Sequence, residues 1–213
     1  MHTDSKSIHT EIFTDNQVEL LPFVKKFQRS FYMVGGTAIA LHIGHRRSID
    51  FDLFASSKLN KSRVKSTLLQ VSFDQLPIFE DYDQLHLLIN QVKVTFLSFP
   101  YPVQHPIKVG LYITIPSLLS LAAMKAFALG RRAKWKDYVD LYFILRDYYS
   151  ITEICSEAKD IFDQQFSEKL FREQLAFHKD IDYSEPVEYL VQPVPDDEIK
   201  KFLMNTAIDI WNE

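Results

Sequence analysis

Two of the five glycines in this 213-residue chain are adjacent, Gly35 and Gly36, and that pair constrains the fold more than any other feature. Average usage of about 7% would give roughly fifteen glycines, so the chain commits few positions to backbone freedom. The pair follows Phe31-Tyr32-Met33-Val34, an apolar run that suits a buried strand. It precedes a short apolar helix that Thr37 is placed to cap and that runs through Ile43 to a stop at Gly44. A strand that turns into a helix through two glycines lets backbone N–H groups approach a phosphate, and the helix dipole favours the negative charge. The same pair could equally be a tight connection and no more.

Six residues after Gly44 the chain reads Asp50-Phe51-Asp52-Leu53-Phe54. Strict alternation over Ser48 to Phe54 predicts a strand, with Asp50 and Asp52 on one face and Ile49, Phe51 and Leu53 on the other. Two residues of strand rise separate the carboxylates by ~6.6 Å at Cα, close enough for both to converge on one hard cation. Without a cation they repel, and Mg²⁺ reverses the sign of that interaction. The alternative is the solvated polar face of an edge strand.

The rest of the chain divides into strands early and helices late. Apolar periodicity predicts helices over about 16–28 and 58–71, strands over 75–79, 84–90 and 92–99, and a departure from the sheet at the three prolines of 100–106. From Ser117 the pattern is helical: 117–129 stopped by Gly130, 135–148, 152–164, 167–178 and 196–211, with an irregular connector at 180–195. The expected fold is therefore α/β (α+β), a small mixed sheet flanked by helices with a helical C-terminal half, divided into a core at 1–115 and a helical region at 116–213. The aromatic residues Phe162, Phe166, Phe171 and Phe177 read as helical core.

With 46% hydrophobic and 24% charged residues the chain can bury a core, which excludes disorder. Its single cysteine, Cys155, excludes an intramolecular disulfide and any multi-cysteine zinc site. The longest uncharged apolar stretch, Ile113 to Met124, is too short to span a bilayer, and the N-terminus lacks a basic-then-apolar secretory design. A cytoplasmic location without a membrane partner is the expectation. The net charge of −4 conceals a partition: residues 1–150 hold 18 Lys+Arg against 13 Asp+Glu (+5), and residues 151–213 hold 6 against 15 (−9). That asymmetry marks either a basic working face with an acidic appendage or the solvation of two helical surfaces.

Three further features carry charge. Lys125 is the only charge between Ile113 and Leu129, so it needs a carboxylate or phosphate partner, or else its stem snorkels to solvent. Arg131, Arg132, Lys134 and Lys136 form a basic cluster before Asp137, suited either to a solvated helix start or to a triphosphate or nucleic-acid backbone. Asp137 and Asp140, three apart, share a helix face. His42 and His45 read as helix packing and capping, because no third ligand accompanies them.

The run from Gly35-Gly36-Thr37-Ala38-Ile39-Ala40-Leu41 through Arg46-Arg47-Ser48-Ile49-Asp50-Phe51-Asp52-Leu53-Phe54, followed by Met124-Lys125 and Lys136-Asp137-Tyr138-Val139-Asp140, resembles the AbiEii/AbiGii-type nucleotidyltransferase-like toxin family of the polymerase-beta-like nucleotidyltransferase superfamily. The match covers roughly residues 30–145. The resemblance implies an NTP held at Gly35, Gly36 and Thr37, with Arg46 and Lys125 on its phosphates, and Mg²⁺ or Mn²⁺ on Asp50 and Asp52. It implies attack of an acceptor hydroxyl, on tRNA or a protein, at the α-phosphate with loss of pyrophosphate. Asp50, Asp52, Lys125 and Asp137 would be the catalytic set, Asp140 would complete the late acidic motif, and a cognate antitoxin would be a partner in a toxin–antitoxin or abortive-infection system.

One departure matters. Active members of that superfamily carry a third carboxylate on a later strand, and the matching strand here, Val92-Lys93-Val94-Thr95-Phe96-Leu97, presents Lys93 and Thr95 instead. Either Asp137 or one of Glu80, Asp81 and Asp83 supplies that acid, or catalysis is slow, or the protein is a catalytically silent nucleotide- or protein-binding module on the same fold. A purely structural partner using the acidic helices is the third reading.

Overall fold

The computed structural model describes residues 8–129 and 131–209. They form two compact units, Met1–Ser117 and Leu118–Glu213.

In the first unit, α1 (Asp15–Lys25) starts at a capping box in which Thr14 accepts from the Gln17 N–H and the Gln17 side chain accepts from the Thr14 N–H. The chain then runs through β1 (Tyr32–Val34), α2 (Gly35–Ile43), β2 (Phe51–Ala55), α3 (Lys61–Leu68), β3 (Gln75–Glu80), β4 (Gln84–Ile89) and β5 (Val92–Ser98). A hairpin of β6 (Ile107–Val109) and β7 (Ile113–Ile115) follows the prolines. Periodicity did not reveal that hairpin, because three-residue strands are too short to show a period. The strand expected from Ser48 begins only at Phe51, since Ser48 to Asp50 is held by side chains instead of a ladder.

The five-stranded sheet has the order β1-β2-β5-β4-β3. β2 and β5 are parallel, whereas β1–β2, β5–β4 and β4–β3 are antiparallel, so the sheet is mixed. Asn90 and Gln91, with φ of 49° and 62°, form the two-residue turn between β4 and β5. Two successive positive φ values match the right-handed twist of a hairpin and fix its register.

That register sorts the faces. Phe51, Leu53, Leu85, Leu87, Ile89, Val94 and Phe96 are buried on one side. Phe96 meets Phe27 and Phe31 at centroid distances of 4.9 and 5.3 Å, and Phe13 meets Phe51 at 5.9 Å. Burying each such ring stabilises the unit by about 1.5–3 kcal/mol. The other face carries Asp52, Phe54, Thr95, Leu97 and His86, most of them half-buried.

In the second unit, α4 (Leu118–Leu129), α5 (Trp135–Asp147), α6 (Ile151–Phe162), α7 (Glu168–Ala176) and α8 (Asp196–Ile208) pack around Leu141, Ile144, Ile154, Ala158, Phe171 and Leu203. Phe162, Phe166 and Phe171 are core as expected, but Phe177 is 46% exposed because α7 ends before it. The expected extension of the last helix to Trp211 lies outside the described residues. The connector is irregular yet not loose: Asp182 donates to the Ala133 carbonyl at 2.7 Å and accepts from the Trp135 N–H at 3.0 Å. No helix among the described residues is long and apolar enough to cross a membrane.

Tyr32 is 3% exposed and stacks on His105 at 4.5 Å, yet among the described residues its hydroxyl has no hydrogen-bond partner. Burial pushes its pKa up to about 12. An unsatisfied buried hydroxyl costs about 1–3 kcal/mol. Tyr32→Phe is therefore expected to leave stability unchanged or raise it by about 1 kcal/mol in urea unfolding. A clear loss would mean that the hydroxyl has a partner.

Candidate active site

The turn from β1 into α2 is built around two missing side chains. Gly35 sits at φ +74°, and a Cβ there would lie 2.2 Å from Asp52 Oδ2. The carboxylate of β2 thus lies where a Gly35 side chain would be, beside the N-terminus of α2, whose dipole favours an anion. At Gly36 a Cβ would meet Arg46 Nη2 at 2.6 Å and Ser48 Oγ at 3.1 Å. Arg46 is 2% exposed, with Nη1 donating to the Arg47 carbonyl at 3.0 Å. A carboxylate and a guanidinium of the protein itself therefore lie over the two glycines.

Thr37 does not cap the helix, contrary to expectation. α2 starts at Gly35 with Val34 as its N-cap residue, so Thr37 lies within the first turn. Its hydroxyl donates instead to the Asp50 carbonyl at 2.5 Å. Gln17 Nε2 donates to the Ser48 carbonyl at 3.0 Å. Two helices thereby grip the segment that leads into β2 and hold Asp50 immediately ahead of that strand.

Sheet register extends the site sideways. Val34 pairs with Asp52, Asp52 with Thr95, and Thr95 with His86, so these four side chains form a row across β1, β2, β5 and β4. Thr95 is 7% exposed and stands directly beside Asp52. His86, which the sequence reading passed over, is the titratable side chain next in that row. Burial first, and then the Lys93 charge, lower its pKa below the ordinary histidine value. Of the acids considered as substitutes for Thr95, Glu80 lies on the edge strand β3 and is ion-paired to Lys61 and Lys65 at 3.3 and 2.7 Å.

In the second unit, Lys125 Nζ lies 2.7 Å from Asp137 Oδ1 and 2.8 Å from Asp140 Oδ2, and all three side chains are buried. Arg132 Nε reaches Asp137 Oδ2 at 3.1 Å. Two cations thus meet two carboxylates, which resolves the choice left open for Lys125: it is carboxylate-paired, not snorkelling. The basic cluster is answered as well, since Lys134 and Lys136 both pair with Glu185 and Arg131 lies 4.2 Å over the Phe127 ring. His42 Nε2 lies 2.9 Å from the Pro116 carbonyl and His45 is buried, in keeping with packing roles.

Among the described residues no cluster of three or more His, Cys, Asp or Glu side chains could hold a metal ion. The donor beside Gly35 is the Asp52 carboxylate, and Asp50 precedes it by two residues in the chain. Hard carboxylate oxygens in pairs suit Mg²⁺, which is commonly bound by one or two carboxylates together with substrate phosphates.

The sequence matches the family described as "Nucleotidyl transferase AbiEii toxin, Type IV TA system" over residues 24–210. A curated relative, an uncharacterised Aquifex aeolicus protein, is 34% identical over 125 residues, which are 55% of this chain and 59% of that protein. The match thus spans little more than half of that relative. Among solved structures, the fold is similar to MenT4, a nucleotidyltransferase toxin of Mycobacterium tuberculosis (TM-score 0.61, 15% identity, 92% of this chain and 83% of that one). It is also similar to a Helicobacter pylori protein described as a nucleotidyltransferase (TM-score 0.59, 17% identity, 91% and 92%). A second H. pylori protein, JHP933, aligns with TM-score 0.55 and 19% identity over 95% and 92%. At these identities the structural likeness speaks for the fold.

Two substitutions test the geometry. Gly35→Ala forces a Cβ into the Asp52 carboxylate at a backbone angle that L residues avoid, and is expected to cost about 1–3 kcal/mol in thermal or urea unfolding. Gly36→Ala meets the tip of the Arg46 side chain and the Ser48 hydroxyl, without a positive φ, and is expected to cost less, so equal losses would contradict the geometry. Lys125→Met removes the buried ammonium from two buried carboxylates, of which Asp137 keeps Arg132, and is expected to cost about 3–5 kcal/mol. An unfolding free energy within 1 kcal/mol of wild type would show the ion cluster to be dispensable.

Proposed function

Because the chain belongs to the nucleotidyl transferase AbiEii toxin family of type IV toxin–antitoxin systems, we propose that the Gly35–Asp52 turn is the active site of a nucleotidyltransferase. The single observation that carries the reading is the approach of Asp52 to Gly35 at the start of α2. It sets a metal-type carboxylate beside backbone donors suited to phosphate. The substrate would be an NTP, the acceptor an RNA or protein hydroxyl, and the partner a cognate antitoxin.

Asp50 and Asp52 would hold Mg²⁺ or Mn²⁺, and the ion would neutralise charge on the phosphates when bound. The N–H groups of the first turn of α2 orient the triphosphate, and Arg46, packed on Gly36, adds a fixed positive charge behind that turn. The acceptor oxygen forms a bond to the α-phosphorus as the bond to the β-phosphate oxygen breaks, and pyrophosphate leaves. Thr95 cannot take the acceptor's proton. His86, beyond Thr95 in the Asp52 row and with its pKa lowered by burial and then by Lys93, is the side chain we assign to that role. By the resemblance Lys125 and Asp137 would also belong to the catalytic set; within the second unit they form a buried ion cluster with Asp140.

The reading is tested with labelled NTPs, total tRNA and lysate protein. Transfer of label by wild type, abolished in Asp50→Asn and Asp52→Asn, is expected. His86→Ala is expected to slow transfer by roughly 10²-fold while NTP affinity is retained. Binding of Mg²⁺–NTP without transfer to any acceptor would favour the silent binding module. No binding at all would overturn the reading.

A further inference from the structure

The sheet face that carries Asp52 continues into an aromatic surface. Phe54 follows Asp52 by two residues in β2, so it projects from the same face about 6.6 Å further along the strand. The Phe99 N–H donates to the Ala55 carbonyl at 2.7 Å, which extends the β2–β5 ladder past Ser98 and keeps Phe99 in phase with Thr95 and Leu97. Its ring lies 4.9 Å from that of Phe54, and the Tyr101 ring lies 4.7 Å from that of Phe99. All three residues are half-buried.

The third ring is held stiffly. Tyr101 N–H bonds the Phe99 carbonyl at 2.8 Å and Val103 N–H bonds the Tyr101 carbonyl at 2.9 Å, two successive tight turns. Pro100 and Pro102 lie within those turns and fix φ at both. An aromatic surface this rigid loses little entropy when a flat ligand stacks on it.

We propose that Phe54, Phe99 and Tyr101 form a stacking shelf for the base of the nucleotide whose phosphates lie at Gly35 and Asp52. The inference rests on the nucleotidyltransferase reading above and adds a base subsite to it. The gap of one two-residue rise between the carboxylate and the first ring is the scale of a ribose. Half-buried aromatic rings along the strand from a carboxylate suit a ligand that is flat and apolar on one part and anionic on the other. Phe54 and Phe99 offer only ring faces and the Tyr101 hydroxyl is the one polar group of the three, so the stacking itself would hold purines and pyrimidines alike.

The test compares Mg²⁺–NTP with Mg²⁺–tripolyphosphate, which has the phosphates but no base, by calorimetry on the full chain. Tyr101→Ala and Phe99→Leu are expected to weaken NTP binding by roughly 5- to 100-fold and to leave tripolyphosphate binding unchanged. Unchanged tripolyphosphate binding also reports that each variant is folded. In Tyr101→Trp, fluorescence at the new indole is expected to be quenched by NTP and not by tripolyphosphate. Equal weakening of both ligands, or of neither, overturns the shelf while leaving the nucleotidyltransferase reading standing. Quenching only by oligoribonucleotide assigns the surface to the acceptor and overturns the proposal for the donor base. Failure of wild type to bind either ligand with Mg²⁺ or Mn²⁺ overturns both.

Discussion

The first unit is organised around a carboxylate resting on a glycine. Asp52 Oδ2 occupies the position that a side chain at residue 35 would need, and the positive φ of Gly35 turns β1 into α2 at that point. Everything nearby serves that approach. Thr37 and Gln17 clamp the backbone of Ser48–Asp50, Arg46 fills the space above Gly36, and Gly44 ends α2 in the left-handed region after only nine residues. A bulkier turn would move the N-terminus of α2 away from the carboxylate. Local backbone chemistry and site electrostatics are thus one arrangement here.

The second determinant is register. The β4–β5 turn at Asn90-Gln91 sets Ile89 against Val92, and from there every pair follows: Leu87 with Val94, His86 with Thr95, Leu85 with Phe96. A slip of one residue would send Phe96 to the polar face and Thr95 into the aromatic core beside Phe27. The burial of Phe96 and its contacts with Phe27 and Phe31 therefore protect the Asp52–Thr95–His86 row as firmly as any hydrogen bond. This part of the site could not be read in advance. The alternation of β5 identified the face of Thr95, but which side chain stood on its far side depended on a pairing that no local pattern encodes. Asp50, Asp52 and the two glycines were legible because strand alternation and glycine chemistry are local. His86, Phe99 and the grip of Gln17 on Ser48 were not, because each depends on contacts made across the fold.

Charge shows the same contrast. The acidic portion beyond residue 150 looked like an appendage, yet Glu185 within it pairs with Lys134 and Lys136, and Asp182 is hydrogen-bonded to the backbone at the start of α5. The basic cluster that composition singled out is therefore largely satisfied inside its own unit. Lys125 was correctly read as a lysine in need of a partner, and its carboxylates lie only 12 and 15 positions away on α5. Ion pairs of this kind cost desolvation as well as gaining attraction. The buried cluster is best understood as fixing how α4 and α5 meet, with Arg132 as a second cation on Asp137.

The threonine beside Asp52 has an electrostatic consequence of its own. A third carboxylate in that place would add a like charge one strand spacing, about 4.8 Å, from Asp52 and raise the repulsion that the site must bear before any cation arrives. With Thr95 there, Asp52 is opposed by a neutral hydroxyl and attracted by the N-terminus of α2, so the unliganded turn is electrostatically comfortable. The corollary is weaker intrinsic attraction for a divalent ion, since affinity rises with the number of charged ligands. On the nucleotidyltransferase reading, the missing negative charge would come from the triphosphate itself. Metal and nucleotide would then bind as a pair, each supplying what the other lacks, and a site with two carboxylates would hold little metal until its substrate is present.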